Sequence, residues 1–175
     1  WLKAAMQVLS QGAGGTPERP INNSKGCGGV MRAGVVGLMP NMSPARAFHV
    51  GTRIAALTHG HPSGHLSAGL MAAAVRGLLE DLPLHTALLQ AGDLSRAWAG
   101  HEEALGLLHT ALDQAVRPFT GRLPEVLGQG WVGEQALAIA VYAASRSQSF
   151  RDVMAIAANH SGDSDSTASL AGQLF

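Results

Sequence analysis

The chain is short of several things at once. Its 175 residues hold one cysteine, Cys27, so no internal disulfide can form. Such sparing use of cysteine is what a reducing compartment permits. Charged residues make up 14%, and 12 Lys+Arg balance 12 Asp+Glu, giving a formal net charge of zero. That balance argues against a nucleic-acid backbone or an anionic membrane as the main partner. Aromatic residues are scarce at 5%. No run of about 18 apolar residues escapes a charge or a Gly/Pro break, so no membrane-spanning helix is expected. The opening WLKAAMQVLSQGAGG lacks the basic start and long apolar core of a signal peptide. A cytoplasmic protein is the expectation.

What is abundant is small and apolar. Hydrophobic residues reach 46%, the opposite of a disordered composition. The length is enough for one domain with a sizeable core, residues 1–175, and no linker or repeat divides it. The sequence starts with Trp1 and stops at Phe175 inside a helical pattern, so it is expected to be part of a longer chain.

No stretch alternates long enough for a strand, and the reading is helical nearly throughout: an all-α, compact, many-helix globule with long Gly-rich loops. Residues 1–10 read as the tail of a helix. Residues 11–41, rich in Gly, Pro and Asn, read as a long loop with little regular structure. Ser43 and Pro44 open a helix to about Thr58, stopped by Gly60. A second runs from Pro62 or Ser63 to about Asp81, with Leu66, Leu70, Ala73, Ala74 and Gly77 as its apolar stripe. Pro83 opens a third, another covers 101–117, and 118–130 is a second Gly/Pro loop. Residues 131–147 form a buried helix with Ala136, Leu137, Ala140, Val141 and Ala144 on one side. Ser149 with Asp152 reads as a capping box for a short helix.

Near the end stands HSGDSDSTASLAG, residues 160–172. Asp163 and Asp165, flanked by hydroxyls, precede a run of small residues. Two readings compete. Asp and Ser are preferred at helix N-caps, where negative charge is favoured. Alternatively, Asp163, Asp165 and the Ser166 hydroxyl are hard oxygen donors suited to Mg²⁺ or Mn²⁺, which keep waters for chemistry. No Cys/His cluster suggests a structural zinc site. Gly26, Gly28 and Gly29 could let backbone approach a diphosphate, or simply make a flexible connection. His59, His61 and His65 do not share one helical face; His61 and His65 read as helix-start or surface residues. Arg32 could meet phosphate or pair with a carboxylate. Trp131 could help wall the site, though a core aromatic is the favoured reading, and Glu134 reads as a ligand-orienting or salt-bridging group. No sequence neighbour acts as a base for the Cys27 thiol.

Four segments in order add a further reading. NNSKGCGGVMR (22–32) resembles the N-x-S-x-G-x-G-x-x-M-R stretch of ADP-ribosylglycohydrolases, a family that includes the bacterial enzymes removing ADP-ribose from dinitrogenase reductase. LTHGHP (57–62) resembles its L-T-H segment. GQGWVGEQALAIAVYAA (128–144) is similar to its G-x-G-W-V-x-E-x-A-L-x-x-A helix. HSGDSDSTASLAG resembles its closing G-D-x-D-[ST]-x-A-x-x-A-G motif. The resemblance implies an all-helical fold and a paired-metal site, usually Mg²⁺ and sometimes Mn²⁺, with Asp163, Asp165 and Ser166 in the metal shell. It implies that Ser24, Lys25, Gly26 and Cys27 lie against the ADP-ribose diphosphate and adjacent ribose, with Met31 close by and His59 near the ribose.

By the same resemblance, Asp163 and Asp165 would serve hydrolysis of an N- or O-glycosidic bond joining ADP-ribose to an acceptor, arginine favoured. The partner would be ADP-ribose or an ADP-ribosylated protein. The family's N-terminal T-D-D segment does not occur in this sequence, and Cys27 stands where many relatives carry Asn. Both differences leave a catalytically weak ADP-ribose-binding protein as the alternative.

Overall fold

A computed structural model describes residues 2–175. The order of helices is α1 (Leu2–Gln11), α2 (Gly28–Met31), α3 (Gly34–Gly37), α4 (Pro44–Ala56), α5 (Pro62–Leu79), α6 (Leu84–Ser95), α7 (Glu102–Ala115), α8 (Gly133–Arg146), α9 (Phe150–Ala158) and α10 (Ser164–Leu174), with a 3₁₀ turn at Glu125–Leu127. Among the described residues there is no strand, only the isolated bridges Thr16–Arg19 and Gly26–Val132. The all-α expectation therefore holds. The helix expected at 1–10 occupies Leu2–Gln11, with Trp1 outside the described residues.

The helix starts follow from local chemistry. Ser43 caps α4, its hydroxyl accepting from the Arg46 amide at 3.3 Å, with Pro44 in the first turn. His61 caps α5 through Nδ1, which accepts from the Ser63 amide at 3.1 Å. Pro83 precedes α6. The stretch 11–41 is less irregular than its composition suggests. Its Gly and Val residues form the short helices α2 and α3, because Gly28, Gly29, Val30, Gly34, Val36 and Gly37 are buried and tertiary packing overrides weak propensity. The capping box at Ser149 is also corrected. Ser149 makes no side-chain cap bond; its own amide donates to the Ser147 hydroxyl at 3.0 Å.

Helix α5 is central. It is buried all round from Ser63 to Val75, and it packs against α2, α3, α4, α6 and α8. Where α4 crosses it, backbones meet closely: a Cβ on Gly69 would lie 2.2 Å from Thr52 Oγ1 and 3.0 Å from the Phe48 carbonyl. Helix α8 is buried from Gly133 through Ala144 except at Gln135, well beyond the single stripe its sequence pattern suggests. A helix buried all round lies in the middle of a bundle. Together these two helices form a floor on which α2, α10 and the loop at 22–28 are assembled.

Candidate functional site

The Gly-rich loop is held from three sides. Asn22 reaches across to the end of α4: Nδ2 donates to the Thr58 carbonyl at 3.1 Å, and Oδ1 accepts from the Ser24 and Gly60 amides, both at 3.0 Å. The Ser24 carbonyl accepts from the His61 amide at 3.1 Å. On the other side the loop pairs with the 131–133 segment. Cys27 N–H donates to the Trp131 carbonyl at 3.1 Å, and Gly133 N–H to the Lys25 carbonyl at 2.8 Å. Sequence reading gave Asn22 no role of its own; its place at the head of the N-x-S motif is the only signal that could have found it.

The turn before α10 is fixed next to that loop. Asp163 N–H donates to the Gln129 carbonyl at 2.8 Å. Gln129 lies between Gly128 and Gly130, with φ of +78° and +85°, the left-handed region glycine adopts most readily. His160 Nδ1 accepts from the Gly162 amide at 3.1 Å, and its other nitrogen, Nε2, lies 2.8 Å from Thr167 Oγ1, which donates to the Ala157 carbonyl at 2.7 Å. That chain assigns the His160 proton to Nε2.

Asp163 stands at the N-cap of α10 yet makes no side-chain capping bond. Its carboxylate Oδ2 accepts from the Cys27 thiol at 2.8 Å. Asp163 and Ser166 are buried, while Asp165 is exposed on the first turn. The Ser166 hydroxyl lies 3.6 Å from Cys27 Sγ and 3.2 Å from Met31 Sδ. Asp165 is held below the usual carboxylate range, first by hydrogen bonding with the Asp163 side chain and then by backbone amides at the helix start. Burial, then hydrogen bonding to Asp163, pushes the Cys27 thiol up to about 11.

These residues wall a cleft of about 550 Å³ lined by Gly26, Cys27, Gly28, Met31, Arg32, Trp131, Asp163 and Ser166. Of the residues singled out in the sequence, Gly26, Cys27, Met31, Asp163 and Ser166 come together on its wall. Trp131 takes the less favoured of its two readings: it walls the cleft and is not a core aromatic, with 57% of its surface exposed. Arg32 has no carboxylate within ion-pair distance among the described residues. Its Nη2 donates to the Ile54 carbonyl at 3.2 Å and to Thr58 Oγ1 at 2.6 Å.

Ser24, Lys25, His59 and Asp165 do not line this cleft. The Lys25 ammonium sits 2.5 Å from a carboxylate oxygen of Glu103 and 2.5 Å from one of Glu134. Glu103 also accepts from the Ser63 hydroxyl. His59 is fully buried beneath the loop, its ring filling space left by Gly29 and Gly64. Its Nδ1 lies 2.7 Å from Thr58 Oγ1. That oxygen accepts from Arg32 and also lies 3.5 Å from the Ala55 carbonyl, a second acceptor for its proton, so the contact with His59 Nδ1 does not fix the ring tautomer. Burial, then the Arg32 charge, pushes the ring down to about 4, so it is neutral at ordinary pH. His59 Nε2 finds no hydrogen-bond partner. His65, expected at a helix start or on the surface, is buried in the first turn of α5, with Nδ1 3.1 Å from the His59 carbonyl.

The donor chemistry fits a divalent cation as one side of its shell. Two carboxylates and a hydroxyl from one turn are hard oxygens. Among the described residues no group of three or more His, Cys, Asp or Glu converges on one point. Oxygens from water or ligand would have to complete the coordination. Among the described residues no helix is long and apolar enough to cross a membrane.

A family model described as ADP-ribosylglycohydrolase matches residues 2–175. No curated protein and no solved structure gives a significant match.

Proposed function

Because the chain belongs to the ADP-ribosylglycohydrolase family, we propose that its cleft binds ADP-ribose and serves metal-dependent hydrolysis of the bond between ADP-ribose and an acceptor, an arginine side chain being favoured. One observation carries the reading. The Gly-rich loop and the DSD turn, 136 residues apart between Cys27 and Asp163, meet on one cleft wall. The family match supports the class of substrate; the oxygen donors on that wall support the metal. Cytoplasmic placement belongs to the same reading and rests on the single cysteine.

Asp163, Asp165 and Ser166 would hold Mg²⁺, or Mn²⁺ in its place, as part of a two-metal site. When bound, such ions supply positive charge to ribose hydroxyls and lower the pKa of a coordinated water. The chain's own residues do the rest. The loop at 26–28 brings backbone against the diphosphate with no side chain intervening at Gly26 or Gly28. Arg32, on the same wall and free of a carboxylate partner, places positive charge beside that anion. Trp131 and Met31 cover the ligand and exclude water from one side. Holding water, sugar and leaving group in one geometry contributes several kcal/mol to lowering the barrier.

Release of ADP-ribose from an ADP-ribosylated arginine substrate, followed with Mg²⁺ and with Asp163→Asn, tests the proposal. Turnover that needs the metal and falls by at least about a hundredfold in the variant is expected, a loss typical for a group acting on the transition state. Turnover unchanged by chelation or by the variant would overturn it. A second reading, binding with little catalysis, is favoured by the Cys27 thiol, which occupies the Asp163 oxygen that would face a metal. It predicts ADP-ribose affinity without release.

A further inference from the structure

Cys27 is not alone on the cleft wall. Its Sγ lies 2.8 Å from Asp163 Oδ2 and 3.6 Å from Ser166 Oγ, and that hydroxyl lies 3.2 Å from Met31 Sδ. All four side chains line the same cleft. Two sulfurs and two oxygens thus form a continuous cluster, drawn from the Gly-rich loop, α2 and the first turn of α10. From this cluster we infer a second binding capacity: a thiophilic divalent cation of the zinc or cadmium type, held by Cys27, Met31, Asp163 and Ser166.

Three arguments carry this. The first is donor type. A thiolate with a thioether selects borderline and soft ions over Mg²⁺, which prefers oxygen alone. The second is geometry. Tetrahedral coordination at ordinary bond lengths sets donors roughly 3.4–3.8 Å apart. Three of the six donor–donor edges are direct contacts, and they run from 2.8 to 3.6 Å. The Cys27–Asp163 edge is the shortest of the three, because a thiol proton now lies between the two atoms. The third is exchange. The incoming ion replaces that proton: the S–H bond breaks, the proton leaves to solvent, the electron pair stays on sulfur, and a sulfur–metal bond forms. The carboxylate that accepts from the thiol then faces the cation instead, so the cluster keeps its charge complementarity.

Asp163 and Ser166 are shared with the proposed magnesium site, so one consequence rests on the functional reading given above. A bound thiophilic ion would withdraw both oxygens from Mg²⁺ and act as an inhibitor. Binding itself does not depend on that reading.

The test is a Cd²⁺ titration of the reduced chain, followed by the ultraviolet thiolate-to-cadmium charge-transfer band and by proton release. One ion and one released proton per chain are expected. The band should vanish in Cys27→Ser. Affinity should fall roughly tenfold or more in Met31→Leu and in Asp163→Asn, the scale on which loss of one supporting group acts at metal sites. Circular dichroism confirms that each variant is folded, and blocking the wild-type thiol with methyl methanethiosulfonate should abolish the band without any substitution. No band, or a band whose affinity ignores both Met31→Leu and Asp163→Asn, overturns the cluster and leaves only a lone thiol. Mg²⁺ titrated against bound Cd²⁺ then reads the other claim separately. Competition supports the shared oxygens, and its absence with the band intact counts against the magnesium reading alone.

Discussion

Replacing Lys25 by Met keeps most of the side-chain stem and removes the ammonium. In the structure that ammonium lies 2.5 Å from Glu103 and 2.5 Å from Glu134. The two carboxylates differ in exposure: 49% of the Glu103 side chain reaches solvent, against 4% for Glu134. Glu134 Oε2 is already without a hydrogen-bond partner, so the variant strands a buried carboxylate. Removing one member of a fully buried pair costs about 3–5 kcal/mol. Lys25 is itself partly exposed, which lowers the expectation to about 2–3 kcal/mol. Burial works against the Lys25 charge, yet hydrogen bonds and charge from Glu103 and Glu134 outweigh it and hold the ammonium above its usual range. That stabilisation is therefore complete at neutral pH and fades only as pH rises past the lysine range.

The assay is urea unfolding of a double-mutant cycle. Glu134→Gln alone keeps shape and removes the charge, at a cost of about 1 kcal/mol. Lys25→Met with Glu134→Gln should be less destabilised than the sum of the singles by about 1.5–2 kcal/mol, with the urea slope unchanged. The same cycle with Glu103→Gln should show a coupling below about 1 kcal/mol, as exposed pairs do. Additivity within about 0.5 kcal/mol for Lys25 and Glu134 would refute the expected coupling of this buried pair.

Gly162→Ala should disturb the DSD turn, because a Cβ there would lie 1.9 Å from the Gln129 carbonyl; a loss of stability of about 2 kcal/mol or more in urea is expected, in the range for overpacking. Thr167→Val leaves His160 Nε2 and the Ala157 carbonyl unpaired and should cost about 1–3 kcal/mol, read by thermal unfolding. His59 is held down to about 4 by burial and then by Arg32, so its neutral form favours folding. Stability from this group is complete above the usual histidine range near 6.5 and is lost as pH falls toward 4, by up to roughly 3 kcal/mol. Wild type minus His59→Asn, measured in urea at pH 7 and pH 4.5, isolates it; equal differences at the two pH values would contradict it. Thr58→Val should shift the nitrogen NMR signals of the His59 ring, since Thr58 Oγ1 links Arg32 to the ring; unchanged signals would contradict that link.

Much of the architecture was legible because helix periodicity and start signals are local. Ser43–Pro44, His61–Pro62 and Pro83 each mark a helix start that the structure keeps. What was not legible is what packing decides. Gly28–Met31 and Gly34–Gly37 have compositions poor for helix, yet burial against α5 folds them. Trp131 looks like a core residue by type, and only the turn after Gly130 shows that its ring faces the cleft. Lys25 sits within a Gly-rich motif that suggests a ligand cation. Its partners come from α7 and α8, more than 75 residues away in sequence, and no local pattern announces them. The Asp163–Cys27 contact is hidden for the same reason, since each end is intelligible only when both loops have been placed.

The central claim is that the DSD turn and the Gly-rich loop make one metal-assisted ADP-ribose site. Calorimetric titration of ADP-ribose into the chain, with Mg²⁺ and then with EDTA, tests it most directly. The account predicts binding that requires the metal and disappears in Asp163→Ala and Asp165→Ala, with both variants still folded. Binding that ignores chelation and both substitutions, or no binding in either condition, would contradict it.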